Sequence, residues 1–221
     1  MDFPPVDLAR PDGLLAVGGD LCVERLLTAY RYGIFPWFSE GEPILWWSPD
    51  PRLVLFPREL HIPKRLARTV RQRRFEVTCN LAFRKVIEHC RMVRKKRGES
   101  TWINQQMIDA YCRLYDIGYG LSVESWRQGE LVGGLYGIML GSVFFGESMF
   151  TIEKEASKVA FVHFVRFFSR RGLQLIDCQV ETGHLKRFGA RQIPRPLFVS
   201  LLNKWTGREI KKVPPGPLPA D

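Results

Sequence analysis

Membrane-spanning segments, disulfide pairs and metal-binding cysteine motifs are missing from this sequence of 221 residues. No apolar run is long enough to cross a bilayer, because glycines or charged residues interrupt the longest ones. The first residues carry neither a basic leader nor an apolar core, so we expect no signal peptide. The five cysteines are scattered without a CxxC pair: Cys22, Cys79, Cys90, Cys112 and Cys178. We therefore predict a protein without a metal site that resides in the reducing cytoplasm.

The usual motifs of nucleotide binding and nucleophilic catalysis are also missing. Gly18 and Gly19 are not followed by the Lys-Ser/Thr pair of a phosphate loop. The four histidines are isolated, and no Ser/His/Asp arrangement is indicated. Each histidine is more typical of a satisfied core or surface residue than of a ligand. We expect no bound cofactor.

Positive charge is concentrated in one block. The net charge is +10, and residues 58–97 hold fourteen Lys or Arg against three Glu. The rest of the chain is close to neutral, with nineteen basic and twenty acidic residues. Such a block beside a balanced remainder predicts one face that meets a polyanion, most often a nucleic acid. A solvated basic surface without a partner is the alternative, and no strong amphipathic face favours a membrane.

Hydrophobic periodicity predicts an α+β fold in two regions. Residues 1–100 form a basic α/β domain, with helices after Asp20, over 62–74 and after Asn80, and strands over 53–56 and 75–78. Residues 101–221 form a mixed sheet with helices, in the order of a hairpin over 122–139, a strand from 143, a helix over 156–170 and a strand over 173–180. The tail over 214–219 is predicted to be extended and solvated.

Two short segments carry candidate chemistry. Gly146-Glu147-Ser148 interrupts an apolar strand, and a carboxylate there could face a hydrophobic ligand with one cationic group. A hairpin with a solvated Glu is the alternative. Asp177 and Gln179 lie two apart on a buried strand, so their side chains point to one face. Facing a cleft, they could accept a proton from an amine and hold it for attack, whereas a structural network would need them only as hydrogen-bond partners.

Eight strings of this sequence, taken together and in this order, resemble the leucyl/phenylalanyl-tRNA–protein transferase family. They are residues 13–21, 32–38, 43–52, 101–103, 131–137, 146–150, 156–158 and 175–179. The resemblance covers nearly the whole chain. It implies a bacterial cytosolic enzyme that moves Leu or Phe, and in some cases Met, from aminoacyl-tRNA to proteins beginning with Arg or Lys. The product would be a degradation signal, and we expect a monomer.

The resemblance also implies an acetyltransferase-like sheet that takes aminoacyl-tRNA in place of acyl-CoA. Acyl-CoA enzymes hold pyrophosphate with a glycine-rich turn at a helix N-terminus, and here no glycine occurs between Gly146 and Gly172. Peptidoglycan-bridge aminoacyl transferases are the alternative with the same donor and fold. A noncatalytic RNA-binding module would explain the basic block and the tryptophans but would leave the carboxylates without a role.

Site residues follow from the resemblance position by position. The terminal adenosine would contact Trp37 and Trp102, with Tyr111 nearby. The aminoacyl group would be held by Leu135, Phe144, Glu147, Met149, Phe164 and Ile176. The catalytic residues would be Asp177 and Gln179, which orient or deprotonate the incoming amine. The tRNA would bind Arg71, Arg73, Arg74, Lys95 and Lys96. Residues 180–188 depart from the family pattern, which concerns the acceptor side.

Overall fold

The computed structural model describes residues 3–96, 98, 101–180, 183–208 and 213–219. Its α-helices are α1 (Val23–Arg31), α2 (Lys64–Arg71), α3 (Phe83–Lys96), α4 (Gln105–Asp116), α5 (Ala156–Ser169), α6 (Gly183–Lys186) and α7 (Arg195–Trp205). Its strands are β1 (Leu14–Val17), β2 (Phe35–Pro36), β3 (Leu45–Trp47), β4 (Arg52–Leu55), β5 (Glu76–Cys79), β6 (Gly120–Arg127), β7 (Glu130–Leu140), β8 (Val143–Thr151), β9 (Leu175–Gln179), β10 (Arg191–Ile193) and β11 (Gly216–Pro217). Within these ranges, no helix has the length and apolar character needed to span a bilayer.

Eight strands form the main sheet in the order β10-β4-β9-β8-β7-β6-β5-β11. β8 and β9 run parallel, and the other neighbours are antiparallel. This mixed sheet with its helices confirms the predicted α+β class and is consistent with an acetyltransferase-like arrangement. β4 and β5 come from the first 100 residues, so the predicted regions 1–100 and 101–221 share this sheet. Their division into two domains stays a prediction.

The main sheet separates two apolar clusters. On one face, α5 packs with Leu66 and Val70 of α2. On the other face, α1, α3 and α4 pack together through side chains such as Leu26, Ile87 and Ile108. α2 and α3, which carry most of the basic block, therefore lie in different layers of the protein.

The hairpin of β6 and β7 forms where the sequence predicts it. Arg127 pairs with Glu130 across a two-residue turn. Gln128 and Gly129 in that turn have φ values of 51° and 81°. Two positive φ values are typical of the turns whose twist matches that of antiparallel strands. The predicted hairpin is confirmed, and it supplies the central strands of the sheet.

A β-bulge interrupts the pairing of β7 with β8. Tyr136 lies opposite Ser148 and Gly137 lies opposite Gly146, so Glu147 is the extra residue between them. A bulge bends its strand and turns the extra side chain away from the regular alternation. The chain thus aims Glu147 by backbone geometry as well as by its place in the strand.

The glycine that this bulge requires is Gly137. A Cβ atom built on Gly137 would lie 2.1 Å from the carbonyl oxygen of Phe145, which no side chain tolerates. At Gly146, where the glycine in an apolar strand suggests a bend or a close approach, the nearest atom to such a Cβ is the carbonyl oxygen of Asp177 at 3.4 Å, an ordinary contact. The close backbone approach therefore occurs one strand earlier than the sequence indicates.

A second bulge lies between β4 and β9. Leu53 pairs with Gln179 and Val54 pairs with Asp177, so Cys178 is the extra residue. Gln179 adopts a φ of 59°, a left-handed conformation that is uncommon for a residue with a side chain. The strand therefore changes direction at the position where the predicted catalytic residues lie.

β8 and β9 separate beyond this point. They pair only through residues 143–145 and 175–177. Past those pairs, Glu147 on β8 and Gln179 on β9 face a gap in the sheet. Two parallel strands that diverge leave their ends open, and this opening positions the site described below.

A small antiparallel sheet of β1, β3 and β2 carries Trp46 and Trp47 on β3, and Trp37 directly follows β2. Trp46 is buried, and its indole N–H donates to the carbonyl of Gly18 at 2.9 Å. The indole N–H of Trp47 donates to the carbonyl of Trp37 at 2.7 Å. These two hydrogen bonds thus hold the irregular, proline-containing segment in place. Trp37 in this segment lies at the opening between β8 and β9.

Asn80, which the sequence suggests as the N-cap of the helix that follows it, does not cap α3. Asn80 has a φ of 60°, and its side-chain oxygen accepts the backbone N–H of Ser122 at 3.0 Å. The buried carboxylate of Glu124 instead accepts the backbone N–H of Ala82 at 3.3 Å, just before α3 begins at Phe83. A carboxylate from a neighbouring strand replaces the local cap because it already lies beside the helix N-terminus.

Candidate active site

A cavity of about 420 Å³ opens in the gap between β8 and β9. It is lined by nine of the predicted site residues: Trp37, Trp102, Leu135, Phe144, Glu147, Met149, Ile176, Asp177 and Gln179. The predicted residues outside its lining are Tyr111, Phe164, Arg71, Arg73, Arg74, Lys95 and Lys96. The structure therefore brings the predicted donor, adenosine and catalytic residues together and places the basic residues elsewhere.

Glu147 is one of two buried carboxylates that line this cavity, and Asp177 is the other. The side chain of Glu147 is only slightly accessible, with 7% of the residue exposed. Oε1 accepts the hydroxyl of Tyr30 at 2.7 Å and the side-chain amide N–H of Gln179 at 3.0 Å. Oε2 accepts the hydroxyl of Tyr111 at 2.9 Å. Three donors from three elements hold the carboxylate in one orientation.

Burial raises the pKa of Glu147 from its ordinary value of 4.5 to about 7. The negative charge of Asp177 adds to the rise, whereas the tyrosine hydroxyls and the charge of Arg52 oppose it. Burial and the carboxylate of Glu147 also raise the pKa of Tyr30 and that of Tyr111 well above the usual range. Both tyrosines remain protonated donors, so Glu147 is the group of this cluster that can gain or lose a proton near neutral pH.

Tyr111 does not lie in the cavity wall, where an adenosine could reach it. It is fully buried on the inner face of α4, and its hydroxyl contacts the hydroxyl of Tyr30 and the carboxylate of Glu147. Direct contact with an adenosine is therefore closed to it in this structure, and its place near one stays a prediction. Its hydroxyl orients Glu147, because a buried carboxylate needs hydrogen-bond donors in place of water.

Asp177 is fully buried and paired with Arg52 of β4. Nε of Arg52 donates to Oδ1 at 2.8 Å, and Nη2 donates to Oδ2 at 2.7 Å. Neither side chain is exposed. The backbone N–H of Gln179 donates to the same Oδ1 at 2.9 Å. Both oxygens of the carboxylate are thus held by strong donors, and a bidentate pair of this kind is geometrically specific.

The predicted alternation along β9 is wrong in one respect. Ile176 and Cys178 line the cavity together with Asp177 and Gln179, although simple alternation puts the two pairs on opposite faces. The bulge at Cys178 and the separation of β8 from β9 explain this, since the cavity lies at the end of the strands. Burial raises the pKa of the Cys178 thiol, which opposes a nucleophilic role.

Apolar side chains form most of the remaining wall. The predicted members in it are Leu135, Phe144, Met149 and Ile176. Phe164 lies behind them, with its ring centroid 4.4 Å from that of Phe144. Phe161 of α5 also lines the cavity, although no pattern in the sequence indicates it. The flexible thioether of Met149 beside aromatic rings suits an apolar ligand of moderate size.

Two tryptophans and an arginine lie at the other end of the cavity. The rings of Trp37 and Trp102 are perpendicular, with centroids 6.1 Å apart. Trp37 is 42% exposed, which leaves part of its ring open to a ligand. The guanidinium of Arg94, at the end of α3, lies 4.2 Å from the centroid of Trp102 and also lines the cavity. Aromatic faces beside a cation are typical of nucleotide binding.

The predicted tRNA-binding residues fall into two groups. Arg71, Arg73 and Arg74 are exposed at and after the end of α2, whereas Lys95 and Lys96 are exposed at the end of α3. α2 packs with α5 on one face of the main sheet and α3 packs on the other. The expectation of a single basic face is corrected accordingly. Arg97, the last residue of the block, lies outside the described residues.

The segment predicted to form the acceptor side is described only in part, since Glu181 and Thr182 lie outside the described residues. His184 lines the cavity just beyond them. Burial lowers the pKa of His184, and the positive charges of Lys158 and Arg187 lower it further. The imidazole is therefore neutral at pH 7.

Besides Phe161, the residues of the site that escape sequence reasoning include Tyr30, Arg52 and Arg94. A buried aspartate on a central strand signals that a counter-charge must exist. Finding that counter-charge requires the strand order, because Arg52 and Asp177 are 125 positions apart. Arg94 belongs to the predicted basic block, and its contact with the ring of Trp102 distinguishes it from the other basic residues of that block.

Comparison with known proteins identifies the family. The family profile described as leucyl/phenylalanyl-tRNA protein transferase matches residues 54–203, and the profile of its N-terminal domain matches residues 19–50. A protein of Syntrophobacter fumaroxidans, named leucyl/phenylalanyl-tRNA--protein transferase, is 62% identical over 90% of this chain and 86% of its own. Relatives of the same name from Anaeromyxobacter sp. and Laribacter hongkongensis are 56% and 52% identical over 92% and 93% of this chain, and over 87% and 89% of theirs. The chain belongs to the leucyl/phenylalanyl-tRNA–protein transferase family.

Proposed function

We propose that the cavity between β8 and β9 is where Leu or Phe passes from aminoacyl-tRNA to the α-amino group of a protein. The chain is an aminoacyltransferase, and its substrates are an aminoacyl-tRNA and an acceptor protein. The reaction forms an amide bond between the aminoacyl carbonyl carbon and the acceptor nitrogen. It breaks the ester bond to the terminal ribose, whose oxygen takes the proton that the acceptor amine loses.

The observation that carries this assignment is a buried carboxylate at the end of an apolar cavity. An aminoacyl group with a Leu or Phe side chain combines an apolar body with one amino group. Leu135, Phe144, Met149 and Ile176 would enclose the apolar body, and Glu147 would bind the amino group. A cation beside Glu147 would favour the ionised carboxylate, whose pKa of about 7 leaves it poised between its two forms.

With the aminoacyl group placed in this way, the terminal adenosine of the tRNA would lie at the two tryptophans. Trp37 and Trp102 present aromatic faces on which the terminal base would stack, and each stacked base typically contributes about 1–3 kcal/mol. Arg94, above Trp102, would neutralise a phosphate next to this base. The exposed basic groups at the ends of α2 and α3 would bind the phosphates of the tRNA body.

Gln179 would orient the acceptor amine. Its side-chain N–H is used by Glu147, so its amide oxygen remains available to accept a hydrogen bond from the incoming nitrogen. Asp177 would act through Gln179, because its carboxylate is held by Arg52. An aminoacyl ester is already activated, so correct positioning would supply most of the rate enhancement.

The proposal extends to acceptors that begin with Arg or Lys, which rests on the family resemblance. The transferred residue would mark the acceptor protein for degradation. The enzyme would act as a monomer in the cytoplasm of a bacterium, where aminoacyl-tRNA is made.

Transfer of radiolabelled Leu tests the proposed function. Purified protein is incubated with labelled Leu-tRNA and a peptide that begins with Arg, and label in the peptide is measured. We expect transfer to this peptide, little to the same peptide with an acetylated amino group, and less to one that begins with Asp. Glu147→Ala should abolish transfer, whereas Glu153→Gln, at the exposed pair with Arg127, should not. No label in any peptide would refute the proposed function.

A further inference from the structure

We propose that Arg52 is a positioning residue of the transfer reaction, which holds Asp177 so that Asp177 sets the backbone of Gln179 and does not act as a base. This inference rests on the proposed function, since it concerns how Gln179 reaches the acceptor amine. It adds a residue of β4 that does not itself line the cavity but contacts Asp177 and Phe35, which do. Arg52 therefore acts through Asp177 and Gln179.

The contacts of Arg52 leave Asp177 no freedom to move. Nε and Nη2 of Arg52 donate to the two carboxylate oxygens of Asp177 at 2.8 Å and 2.7 Å, and both side chains are fully buried. The rings of Phe35 and Phe198 lie 4.6 Å and 4.8 Å from the guanidinium carbon. Aromatic rings from two other elements thus pack against the guanidinium of Arg52 and hold its plane. The two parallel hydrogen bonds of the guanidinium in turn fix the plane of the Asp177 carboxylate.

The held carboxylate determines the conformation of Gln179. Oδ1 of Asp177 accepts both Nε of Arg52 and the backbone N–H of Gln179, the latter at 2.9 Å. Gln179 follows the bulge at Cys178 and has a φ of 59°. Such a conformation persists in a residue with a side chain only where its surroundings hold it. The hydrogen bond from Gln179 to Glu147, at 3.0 Å, depends on that conformation.

A base at Asp177 would conflict with these contacts. Accepting a proton would remove the negative charge that Arg52 pairs with and leave a buried cation without a counter-charge. Nη1 of Arg52 is also buried and has no hydrogen-bond partner among the described residues. The hydrogen bonds that the described residues offer the guanidinium are thus the two that orient Asp177.

Four variants test the inference: Arg52→Lys, Arg52→Gln, Asp177→Asn and the double variant Arg52→Gln/Asp177→Asn. The two single neutral variants each leave one buried charge unpaired, so both should lower kcat on the order of a hundredfold. The KM for aminoacyl-tRNA should change by less than about threefold, because Arg52 does not itself line the cavity. The double variant has no unpaired charge, and the amide oxygen introduced at position 177 can still accept the Gln179 N–H. It should recover at least about tenfold over either single variant.

The dependence of kcat on pH separates positioning from a general loss of structure. Glu147 faces Tyr30 of α1, Tyr111 of α4, Tyr136 of β7, Asp177 of β9 and Arg52 of β4. In Arg52→Gln the negative charge of Asp177 is no longer compensated, which should raise the pKa of Glu147. The pH midpoint at which kcat rises with the ionisation of Glu147 should therefore move upward by about one unit. In the double variant it should return towards that of the wild type. A structural defect alone would lower kcat without moving this midpoint.

Arg191→Gln is the matched control, since Arg191 lies on the neighbouring strand β10 and forms an exposed pair with Glu59. It should retain wild-type kcat. If Arg52→Gln does not fold, Arg52→Lys carries the test: a single amine cannot reproduce the fork, and kcat should fall at least about tenfold. Wild-type kcat in Arg52→Lys, or a double variant no better than Asp177→Asn, would overturn the inference and favour Asp177 as a base. An inactive wild-type protein would instead refute the proposed function itself.

Discussion

Glu147 and Gln179 lie 32 residues apart in the sequence and meet across the gap between β8 and β9, where the amide of Gln179 donates to Oε1 at 3.0 Å. Each residue lies at or beside a β-bulge in its strand. The parallel pairing that would otherwise separate the two side chains ends just before them. The hydrogen bond therefore joins the two strands at the point where the sheet opens, and it connects the proposed amine-binding carboxylate with the proposed acceptor-orienting amide.

Stability should depend on the proton of Glu147. Because burial raises its pKa from 4.5 to about 7, the folded protein holds a proton that the unfolded chain releases between these pH values. The stabilisation is complete below pH 4.5 and is lost as the pH rises through 7. Glu147→Gln lacks this dependence, so its free energy of unfolding should gain about 3 kcal/mol relative to wild type between pH 5 and 8.

Urea unfolding of both proteins across this pH range measures the difference. Glu153→Gln serves as the control, because Glu153 forms a partly exposed pair with Arg127. Parallel stability curves for the wild type and Glu147→Gln would show that the carboxylate is ionised throughout and that its pKa is not raised.

Gly137 should be required for the bulge that aims Glu147. In Gly137→Ala the new Cβ would meet the carbonyl oxygen of Phe145 at 2.1 Å, so the two strands must move apart. Overpacking of this kind typically costs about 3 kcal/mol, and transfer should fall with it because Glu147 loses its orientation. Gly146→Ala is the matched control on the facing strand, where the nearest contact would be 3.4 Å. Thermal unfolding and transfer rates that rank the two variants equally would contradict this account.

The sequence predicts local structure well where one signal is sufficient. The turn at Gln128 and Gly129, the apolar helix α5 and the apolar members of the cavity all follow from periodicity, turn chemistry or the family resemblance. The domain division and the roles of individual site residues stay predictions.

Long-range pairing is what the sequence does not reveal. Arg52 meets Asp177 only because β4 lies next to β9, an order that no local pattern indicates. The tail shows the same limit: it is extended and mostly exposed, as predicted, but the sequence does not reveal that β11 pairs with β5 and that Leu218 is only 6% exposed. Prolines favour an extended chain, and an extended chain can add to an open sheet edge.

The donor pocket should select by apolar size. Leu-, Phe- and Met-tRNA should be good donors, whereas Val leaves part of the apolar wall uncovered and Asp would bury a charge beside Glu147. A missing methylene changes selectivity by only about 1–3 kcal/mol, so Val should be a poor donor and Asp an inactive one. Competition between labelled aminoacyl-tRNAs in one reaction measures the ranking.

A variant of the wall adds a second test of this pocket. Leu135→Trp should reduce transfer of Phe more than transfer of Leu, because the larger side chain fills the cavity. Leu197→Trp, at an exposed position of α7, should leave the ranking unchanged. Equal transfer of Leu, Val and Asp by the wild-type protein would remove the pocket assignment.

Binding of the tRNA body should depend on charge in both basic groups. Reversal of Arg71, Arg73 and Arg74 to Glu, or of Lys95 and Lys96 to Glu, should weaken tRNA binding without unfolding the protein, since all five side chains are exposed. Each lost phosphate contact should reduce the salt dependence, the slope of log K against log salt, by about 0.9. Transfer from aminoacyl-adenosine, which has no phosphates, should be unaffected. Arg10→Glu, at an exposed arginine outside the block, serves as the control.

The two sets are informative separately because α2 and α3 lie on opposite faces of the main sheet. If both reversals raise the Kd for tRNA and lower the salt dependence, the RNA must contact both layers and pass the open edge between β8 and β9. If only one set does so, that face carries the tRNA body, and the other group is a solvated surface. Unchanged tRNA affinity after both sets are reversed together would place the RNA on another part of the protein. Aminoacyl-adenosine is the control donor that separates a lost phosphate contact from damage to the cavity. Damage to the cavity would lower transfer from both donors, whereas a lost phosphate contact would lower transfer only from aminoacyl-tRNA.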